Sequence, residues 1–343
     1  MQAFLYPNRL IMNPKEAIHF EPDAERYQRF DIRMRMRLVA SLRYLHEFTQ
    51  DDLDIPQSLL EQGLDLILEA PIMPDYFASY YELVEAIQDE DYQRAQALFE
   101  ETLNPAHASD EIDIFQFQDP ESDPRSKRFK TKVDTEPQMP FPIHPVDDTD
   151  FARARELIYE SIALLERCAP ELHAEVEEIL CAICIGAGPK KKGDYTFDGA
   201  SAFELWGSIL LNGNEAKDVV DMVQTLAHET CHVMLFGYCI DGTLVNNPDD
   251  ERYASPLRVD PRPIDGIYHA TFVLARMYYS AEKLRDSGLL SPELQTKVES
   301  ELEQRAKSFY DGLGTLKAHA DYSPNGAGLI ASAEAYMDSV CAF

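Results

Sequence analysis

Two histidines stand four residues apart in His228-Glu229-x-x-His232, inside a proline-free, apolar-rich stretch over residues 215 to 236 that predicts one helix. On a helix, positions i and i+4 lie on one face about one turn apart, so both imidazoles can reach a single divalent metal ion. We therefore predict that His228 and His232 are metal ligands. Glu229 lies about 100° round the helix, and we predict that it acts beside the metal as a base or a hydrogen-bond acceptor rather than as a ligand.

A third protein ligand is expected, because two histidines leave a divalent metal under-coordinated. Glu251 follows His232 at the spacing of gluzincin-type zinc peptidases, but it lies in a turn-rich acidic loop over residues 246 to 252. His269 lies in a strongly apolar helical segment that starts at Ile267, where a histidine pointing into the protein needs a reason. A packed core histidine is the alternative there. We predict His269 as the third ligand.

Two further segments carry a family resemblance. Residues 253 to 270 read YASPLRVDPRPIDGIYHA, and residues 316 to 326 read LKAHADYSPNG. With the H-E-x-x-H motif, these segments resemble the H-E-x-x-H family of bacterial peptide-modification proteins, which are iron- and 2-oxoglutarate-dependent peptide β-hydroxylases of ribosomal natural-product pathways. The similarity covers roughly residues 176 to 335. The chain departs from the family at Leu257, where many relatives carry tryptophan, and at Ser323, which replaces a threonine.

The resemblance implies a non-heme iron dioxygenase that hydroxylates a side-chain β-carbon of a ribosomally made precursor peptide. Fe(II) would be held by the two motif histidines and His269, with 2-oxoglutarate as cosubstrate and O2 as oxidant. Such a site needs a cation for the distal carboxylate of 2-oxoglutarate. We predict Arg262 for this role and Arg258 as second choice, because prolines fix the backbone around them. A salt bridge with Asp260 or Asp265 is the alternative for either arginine.

Two other functions stay open from the sequence. A zinc metallopeptidase would use His228 and His232 with either Glu251 or His269, and Glu229 would be the base for an attacking water. A non-catalytic peptide-binding protein would hold a structural metal instead. The identity of the bound metal separates the three: iron for the oxygenase, zinc for the other two.

Composition narrows the class of protein. The 343 residues include 61 acidic and 31 basic ones, which gives a net charge of -30. This charge argues against a nucleic-acid-binding protein, because binding to nucleic acid requires lysine and arginine to neutralise the phosphates. An anionic membrane is disfavoured too, and no apolar stretch reaches the roughly 18 residues of a membrane span. The six cysteines lack the spacing of a secreted disulfide framework, so we expect a reduced, cytoplasmic protein in which Cys181-x-x-Cys184 packs in the core.

These residues must be positioned by the helices and strands around them. From the sequence patterns we predict an α+β protein, predominantly helical, with a small sheet beside the H-E-x-x-H helix in a zincin-like arrangement. We divide the chain into a helical N-terminal region (1–104), an acidic, proline-containing connecting arm (105–150) and the metal-binding catalytic region (151–343). The residues before about 150 match no family that we can name. The motif helix is predicted to begin at Asn212 or Asn214 as its N-cap.

Shorter patterns refine this division. In the connecting arm, two alternating runs over 112–117 and 129–133 predict a hairpin or a mobile arm. A helix over 150–178 is expected to lead into a buried strand over 179–185. A second strand over 203–211 is expected before the motif helix, with an edge that could receive an extended peptide.

Overall fold

A computed structural model describes residues 18–134, 141–189, 197–255 and 260–341. The protein is α+β and predominantly helical, as predicted. Within the described ranges the helices are α1 (Ala24–Phe48), α2 (Gln57–Glu69), α3 (Pro74–Gln88), α4 (Tyr92–Thr102), α5 (Pro124–Val133), α6 (Asp148–Cys168), α7 (Pro170–Ile179), α8 (Val219–Tyr238), α9 (Ile264–Asp286), α10 (Pro292–His319) and α11 (Pro324–Val340).

The chain forms two compact units, each assembled from separate stretches of sequence. The first contains residues 1–30, 161–176 and 226–343, and the second contains residues 31–160 and 177–225. This division is discontinuous, whereas the sequence suggests three consecutive regions. The three histidines of interest belong to the first unit.

The second unit contains a mixed sheet, which in the described residues has four strands: β1 (Asp113–Gln116), β2 (Ala182–Gly186), β3 (Gly199–Ala200) and β4 (Ser208–Asn212). The strand order is β1-β2-β4-β3, in which β1, β2 and β4 are parallel and β3 is antiparallel to β4. Every residue of β2 and β4 is buried. Continuous apolar runs are typical of such central parallel strands, because both faces of the strand are covered.

The strand predicted over 203–211 is shorter and lies inside the sheet. Phe203–Leu205 form a 3-10 turn, and β4 begins only at Ser208. Since β4 pairs with β2 along its length and with β3 at Leu210 and Leu211, it is an inner strand. The prediction that it offers a peptide-binding edge is wrong.

The alternating run over 129–133 is not a strand but the end of helix α5. The helix is fixed at its start, where the Asp123 carboxylate accepts a hydrogen bond from the Ser126 amide at 2.9 Å and Pro124 occupies the first turn. The other run forms β1, which pairs in parallel with β2, so the connecting arm is not a hairpin. A run of five residues is too short to distinguish the two-residue period of a strand from the 3.6-residue period of a helix.

Two helix boundaries also differ from the prediction. The helix expected over 150–178 is two helices, α6 and α7, because Pro170 cannot continue a helix but is well suited to begin one. Helix α8 begins at Val219, and its cap is Asp218, whose carboxylate accepts from the Val220 amide at 2.9 Å. Asn212, one of the two predicted caps, is instead the buried last residue of β4, and Asn214, the other, lies before the helix.

A buried cluster of charges joins three parts of the first unit. Glu175 on α7 lies 2.8 Å from Nη2 of Arg26 on α1 and 3.0 Å from Nη1 of Arg276 on α9. Arg276 also donates to the Phe20 carbonyl at 2.9 Å. All three charged side chains are almost fully buried. One carboxylate is therefore shared by two guanidinium groups inside the unit.

The segment at 316–326 that contributes to the family resemblance starts helix α11. Ser323 is its N-cap and accepts from the Gly326 amide at 3.2 Å, and Pro324 occupies the first turn. Tyr268 on α9 donates its hydroxyl to the Gly326 carbonyl at 2.9 Å. Serine and threonine both cap helices well, so the replacement of threonine by Ser323 leaves this role intact.

The described cysteines are all free thiols. Cys184 lies fully buried in β2, and burial raises its pKa well above the ordinary value. Burial also raises the pKa of Cys181 and of Cys231 to about 12. These thiols stay protonated at neutral pH, as expected of core residues rather than of a redox pair.

Candidate metal centre

His228 and His232 face each other across one turn of α8. Their Nε2 atoms are 3.2 Å apart, and their ring centroids are 4.9 Å apart. A metal ion at about 2.1 Å from both nitrogens would see them at an angle of about 100°, between the octahedral and tetrahedral values. The two nitrogens therefore have the spacing that two ligands of one metal ion require.

His269 on α9 lies directly beside this pair. Its Nδ1 is 3.2 Å from Nδ1 of His232, and the two rings are stacked with an interplanar angle of 16°. The structure thus brings the three predicted histidines together. His232 presents a different nitrogen to each neighbour, however, so the three rings do not point to one common position. In the described ranges, no group of three or more His, Cys, Asp or Glu side chains is arranged to hold a metal ion.

One proton on each ring accounts for all the contacts of the cluster. Nδ1 of His228 lies 3.4 Å from the Met277 sulfur, so we assign it as the protonated nitrogen. Nε2 of His228 then accepts from Nε2–H of His232, and Nδ1 of His232 accepts from Nδ1–H of His269. The three imidazoles form a chain of neutral rings that ends on a thioether.

The surroundings hold these rings in the neutral form. Burial lowers the pKa of His228 from 6.5 to about 4, and the positive charge of Arg305 adds to this effect. Burial lowers the pKa of His232 well below 6.5, with smaller contributions from its two histidine neighbours. Burial also lowers the pKa of His269, and the charge of Asp265 partly offsets it. Neutral imidazole is the form that binds metals.

The cluster nevertheless remains open to solvent. The His228 side chain is 27% exposed, and His232 and His269 are half-buried. Phe236, also half-buried, lies beside His269 with ring centroids 5.9 Å apart. The three rings are therefore not sealed inside the core.

Glu229 lies next to the nitrogens of the pair. Its residue is only 3% exposed, and Oε1 is 3.9 Å from Nε2 of His228. This distance is too long for a hydrogen bond. Glu229 therefore lies beside the pair, and its role as a base or a hydrogen-bond acceptor stays a prediction.

Glu251 has a different environment. It is exposed, and its Oε2 accepts a hydrogen bond from the Tyr253 hydroxyl at 2.7 Å. Within the part of the chain that the structure describes, no hydrogen bond or ion pair joins Glu251 to the histidine cluster. The structure therefore does not bring the gluzincin-type ligand candidate to the motif.

Arg262, the first choice for the cosubstrate cation, already contacts a carboxylate. Arg262 forms an ion pair with Asp260, whose Oδ2 lies 3.2 Å from Nε, and this is the alternative that the sequence had offered. Its backbone pairs with Tyr253 in an isolated bridge. Arg258 lies outside the described residues. Arg276, a third basic residue near His269 in sequence, is buried against Glu175.

Two neighbours of the cluster were missed by sequence reasoning. Met277 on α9 contacts Nδ1 of His228, and Arg305 on α10 acts on His228 through its charge. In the sequence, Met277 cannot be distinguished from the other core residues of an apolar helix. Arg305 directly precedes Ala306 in the buried stripe of α10, and an arginine at the border of an apolar stripe was the only available signal.

Compared with known proteins, the chain matches no family model and no curated protein. The resemblance to the H-E-x-x-H hydroxylases therefore depends on the motif and the two segments quoted from the sequence. Among the described helices, none is both long and apolar enough to cross a membrane.

Proposed function

We propose that the protein is an Fe(II)- and 2-oxoglutarate-dependent hydroxylase that acts on a side-chain β-carbon of a precursor peptide. The supporting observation is the contact of His269 with the H-E-x-x-H pair, 3.2 Å from His232. Three histidine ligands would leave room at Fe(II) for a 2-oxo acid and for O2. Helices α8 and α9 would form the metal-binding part of a zincin-like arrangement.

Fe(II), when bound, would supply the activation of O2 that couples decarboxylation of 2-oxoglutarate to hydroxylation. The overall reaction converts 2-oxoglutarate, O2 and R–H into succinate, CO2 and R–OH. For their part, His228 and His232 would hold the ion through Nε2, and their low pKa values keep them deprotonated at neutral pH. His269 would complete the site from α9 after rotation of its ring. Glu229 would orient a water or a substrate group beside His228.

The proposed peptide partner agrees with two features of the chain. The histidine cluster is open to solvent, so a polypeptide can approach it. The net charge of -30 would steer a basic or neutral peptide towards the protein more readily than an acidic one. The charge alone identifies no particular sequence.

A zinc peptidase is the second candidate, and the position of Glu229 favours it. A carboxylate 3.9 Å from Nε2 of His228 lies where a base could accept a proton from a metal-bound water. In this case too, the third ligand would be His269 rather than Glu251.

Anaerobic reconstitution separates the two candidates. We expect the Fe(II) protein to develop a weak visible charge-transfer band when 2-oxoglutarate is added, and to form succinate once O2 and peptide are supplied. His228→Ala should abolish both, whereas Glu251→Gln should retain both. Absence of the band in an iron-loaded protein, together with peptide cleavage by the zinc form that is lost in Glu229→Gln, would establish the peptidase instead.

A further inference from the structure

Helix α1 carries an exposed apolar stripe along the part that belongs to the second unit. Met36, Ala40, Tyr44 and Phe48 recur every four residues, which places them along one side of the helix. All four are exposed, Tyr44 and Phe48 at 64% each and Met36 at 42%. The rings of Tyr44 and Phe48 stack with their centroids 6.1 Å apart. From Met36 to Phe48 the helix rises about 18 Å, which is long enough to pack against another helix.

The other side of α1 supplies the packing of the unit. Leu38, Leu42 and Leu45 are buried there, and the Ser41 and Tyr80 hydroxyl oxygens join α1 to α3 at 2.6 Å. Exposed apolar side chains that are scattered singly are ordinary on a protein surface, whereas a contiguous row of them usually marks an interaction surface. The stripe is such a row.

Charges of both signs flank the stripe. Arg37 and Glu47 are exposed, lie on the same side of the helix, and are equally far along the chain from the midpoint between Ala40 and Tyr44. Arg33 lies one turn before Arg37, and the charge of Arg37 contributes, after burial, to a lowered pKa of Arg33. Like charges one turn apart are unfavourable on a helix, so acidic groups opposite them would stabilise this face.

We propose that two copies of this chain associate through the stripe, with the two α1 helices antiparallel and the two-fold axis between Ala40 and Tyr44. The axis brings each residue opposite the one that lies equally far on the other side of the midpoint. Tyr44 then packs on the small Ala40 of the second copy, and Phe48 packs on its Met36. Every such contact occurs twice.

A second copy fits the charges of this face better than a partner of one charge sign. Arg37 faces Glu47 of the second copy, and Glu47 faces its Arg37, so both are complemented at once. Asp51, which is exposed just after the end of α1, comes towards Arg33 of the second copy. A partner with only acidic or only basic groups would complement one of the two signs. The inference does not depend on the proposed function.

Sedimentation velocity at about 0.15 M salt measures the association, because repulsion between two chains of net charge -30 is then screened beyond about 8 Å. The face is small, so we expect a dimer with a Kd on the order of micromolar. Phe48→Ser should raise this Kd at least about tenfold, since the apolar contact is lost twice in a symmetric dimer. The matched control is Tyr159→Ser on α6, where a tyrosine that is 54% exposed lies outside the stripe, and it should keep the wild-type Kd.

An exchange of charges tests the antiparallel arrangement. Arg37→Glu or Glu47→Arg alone would place like charges opposite each other, and each should raise the Kd about tenfold. The two substitutions together restore opposite charges and should return the Kd to within about threefold of wild type. Arg94→Glu on α4, at another exposed arginine, changes the net charge as much as Arg37→Glu does and should leave the Kd unchanged.

Three results would overturn the inference. A chain that stays monomeric at about a hundred times the expected Kd would show that the stripe does not receive a second copy. A dimer that Phe48→Ser does not weaken would show that the copies meet at another surface. A double variant that dimerises no better than Arg37→Glu alone would show that Arg37 and Glu47 do not face each other.

Discussion

Replacing His269 by alanine is expected to weaken metal binding strongly, whereas replacing Glu251 by glutamine is not. Nδ1 of His269 lies 3.2 Å from Nδ1 of His232, and the residue is half-buried. Glu251 is an exposed loop residue that accepts a hydrogen bond from Tyr253 at 2.7 Å. The two variants therefore separate a site of three histidines from a site of two histidines and a glutamate.

The size of the expected effect follows from the number of ligands. Zinc held by four protein ligands in a zinc finger is bound with about 10–16 kcal/mol, so one ligand contributes roughly 3 kcal/mol. His269→Ala should then raise the Kd for the metal by a factor on the order of 10². Glu251→Gln removes one exposed charge without changing size, and we expect it to alter the Kd by no more than about twofold.

Competition with a coloured chelator measures these affinities for zinc and for cobalt on protein purified in the same way. Thermal denaturation in the presence of a strong chelator serves as the control, because it shows whether His269→Ala still folds without metal. Wild-type affinity in His269→Ala, found together with loss of metal in Glu251→Gln, would refute the three-histidine site.

Three further predictions follow from the same unit. Glu175→Gln removes the one carboxylate that contacts both the buried Arg26 and the buried Arg276, so the free energy of unfolding in urea should fall by about 3–5 kcal/mol. A loss below about 1 kcal/mol would contradict this account. Met277→Leu removes the acceptor for Nδ1–H of His228 at nearly constant side-chain volume. Metal affinity should fall up to about tenfold, with little change in the free energy of unfolding. Unchanged affinity would mean that Met277 does not orient the His228 ring. Because the pKa of His228 drops from 6.5 to about 4 on folding, unfolding takes up a proton between these values. The free energy of unfolding of the metal-free protein should therefore have its full value above about pH 6.5 and decrease towards pH 4. In His228→Asn this free energy should change less with pH.

Local patterns predicted the elements whose periodicity extends over several turns. The helical N-terminal region (1–104) and the motif helix were predicted because apolar residues recur there at helical spacing. Shorter patterns gave wrong predictions where a strand and a helix would show the same pattern of apolar residues. The run over 129–133 alternates like a strand, but the capped start at Asp123 makes it the last turns of α5. Pro170 ends the helical pattern that the sequence predicts over 150–178, because proline cannot continue a helix.

The candidate metal centre, too, could be predicted only where a local sequence pattern points to the residue. His228 and His232 could be paired from sequence, because the helix alone fixes positions four residues apart. His269 was predicted because an imidazole in an apolar helix is unusual. No comparable signal predicts Arg305, since its approach to His228 depends on how α10 packs within the first unit. Arg262 was predicted from its rigid neighbourhood, but the same neighbourhood contains Asp260, with which it pairs.

His232 determines what His269 does when a metal binds. If His228 and His232 held a metal ion through Nε2, the proton of His232 would have to be on Nδ1, which would donate to Nδ1 of His269. In that arrangement His269 orients His232 without touching the metal, and it becomes a ligand only if its ring rotates. His269→Asn separates the two roles, because the amide oxygen lies near the former Nδ1 position and can accept the hydrogen bond but binds a metal poorly. Metal affinity near that of wild type in His269→Asn would show an orienting role and leave the proposed centre with two histidine ligands. As a ligand, His269 should instead give the same loss for asparagine as for alanine, on the order of 10² in Kd.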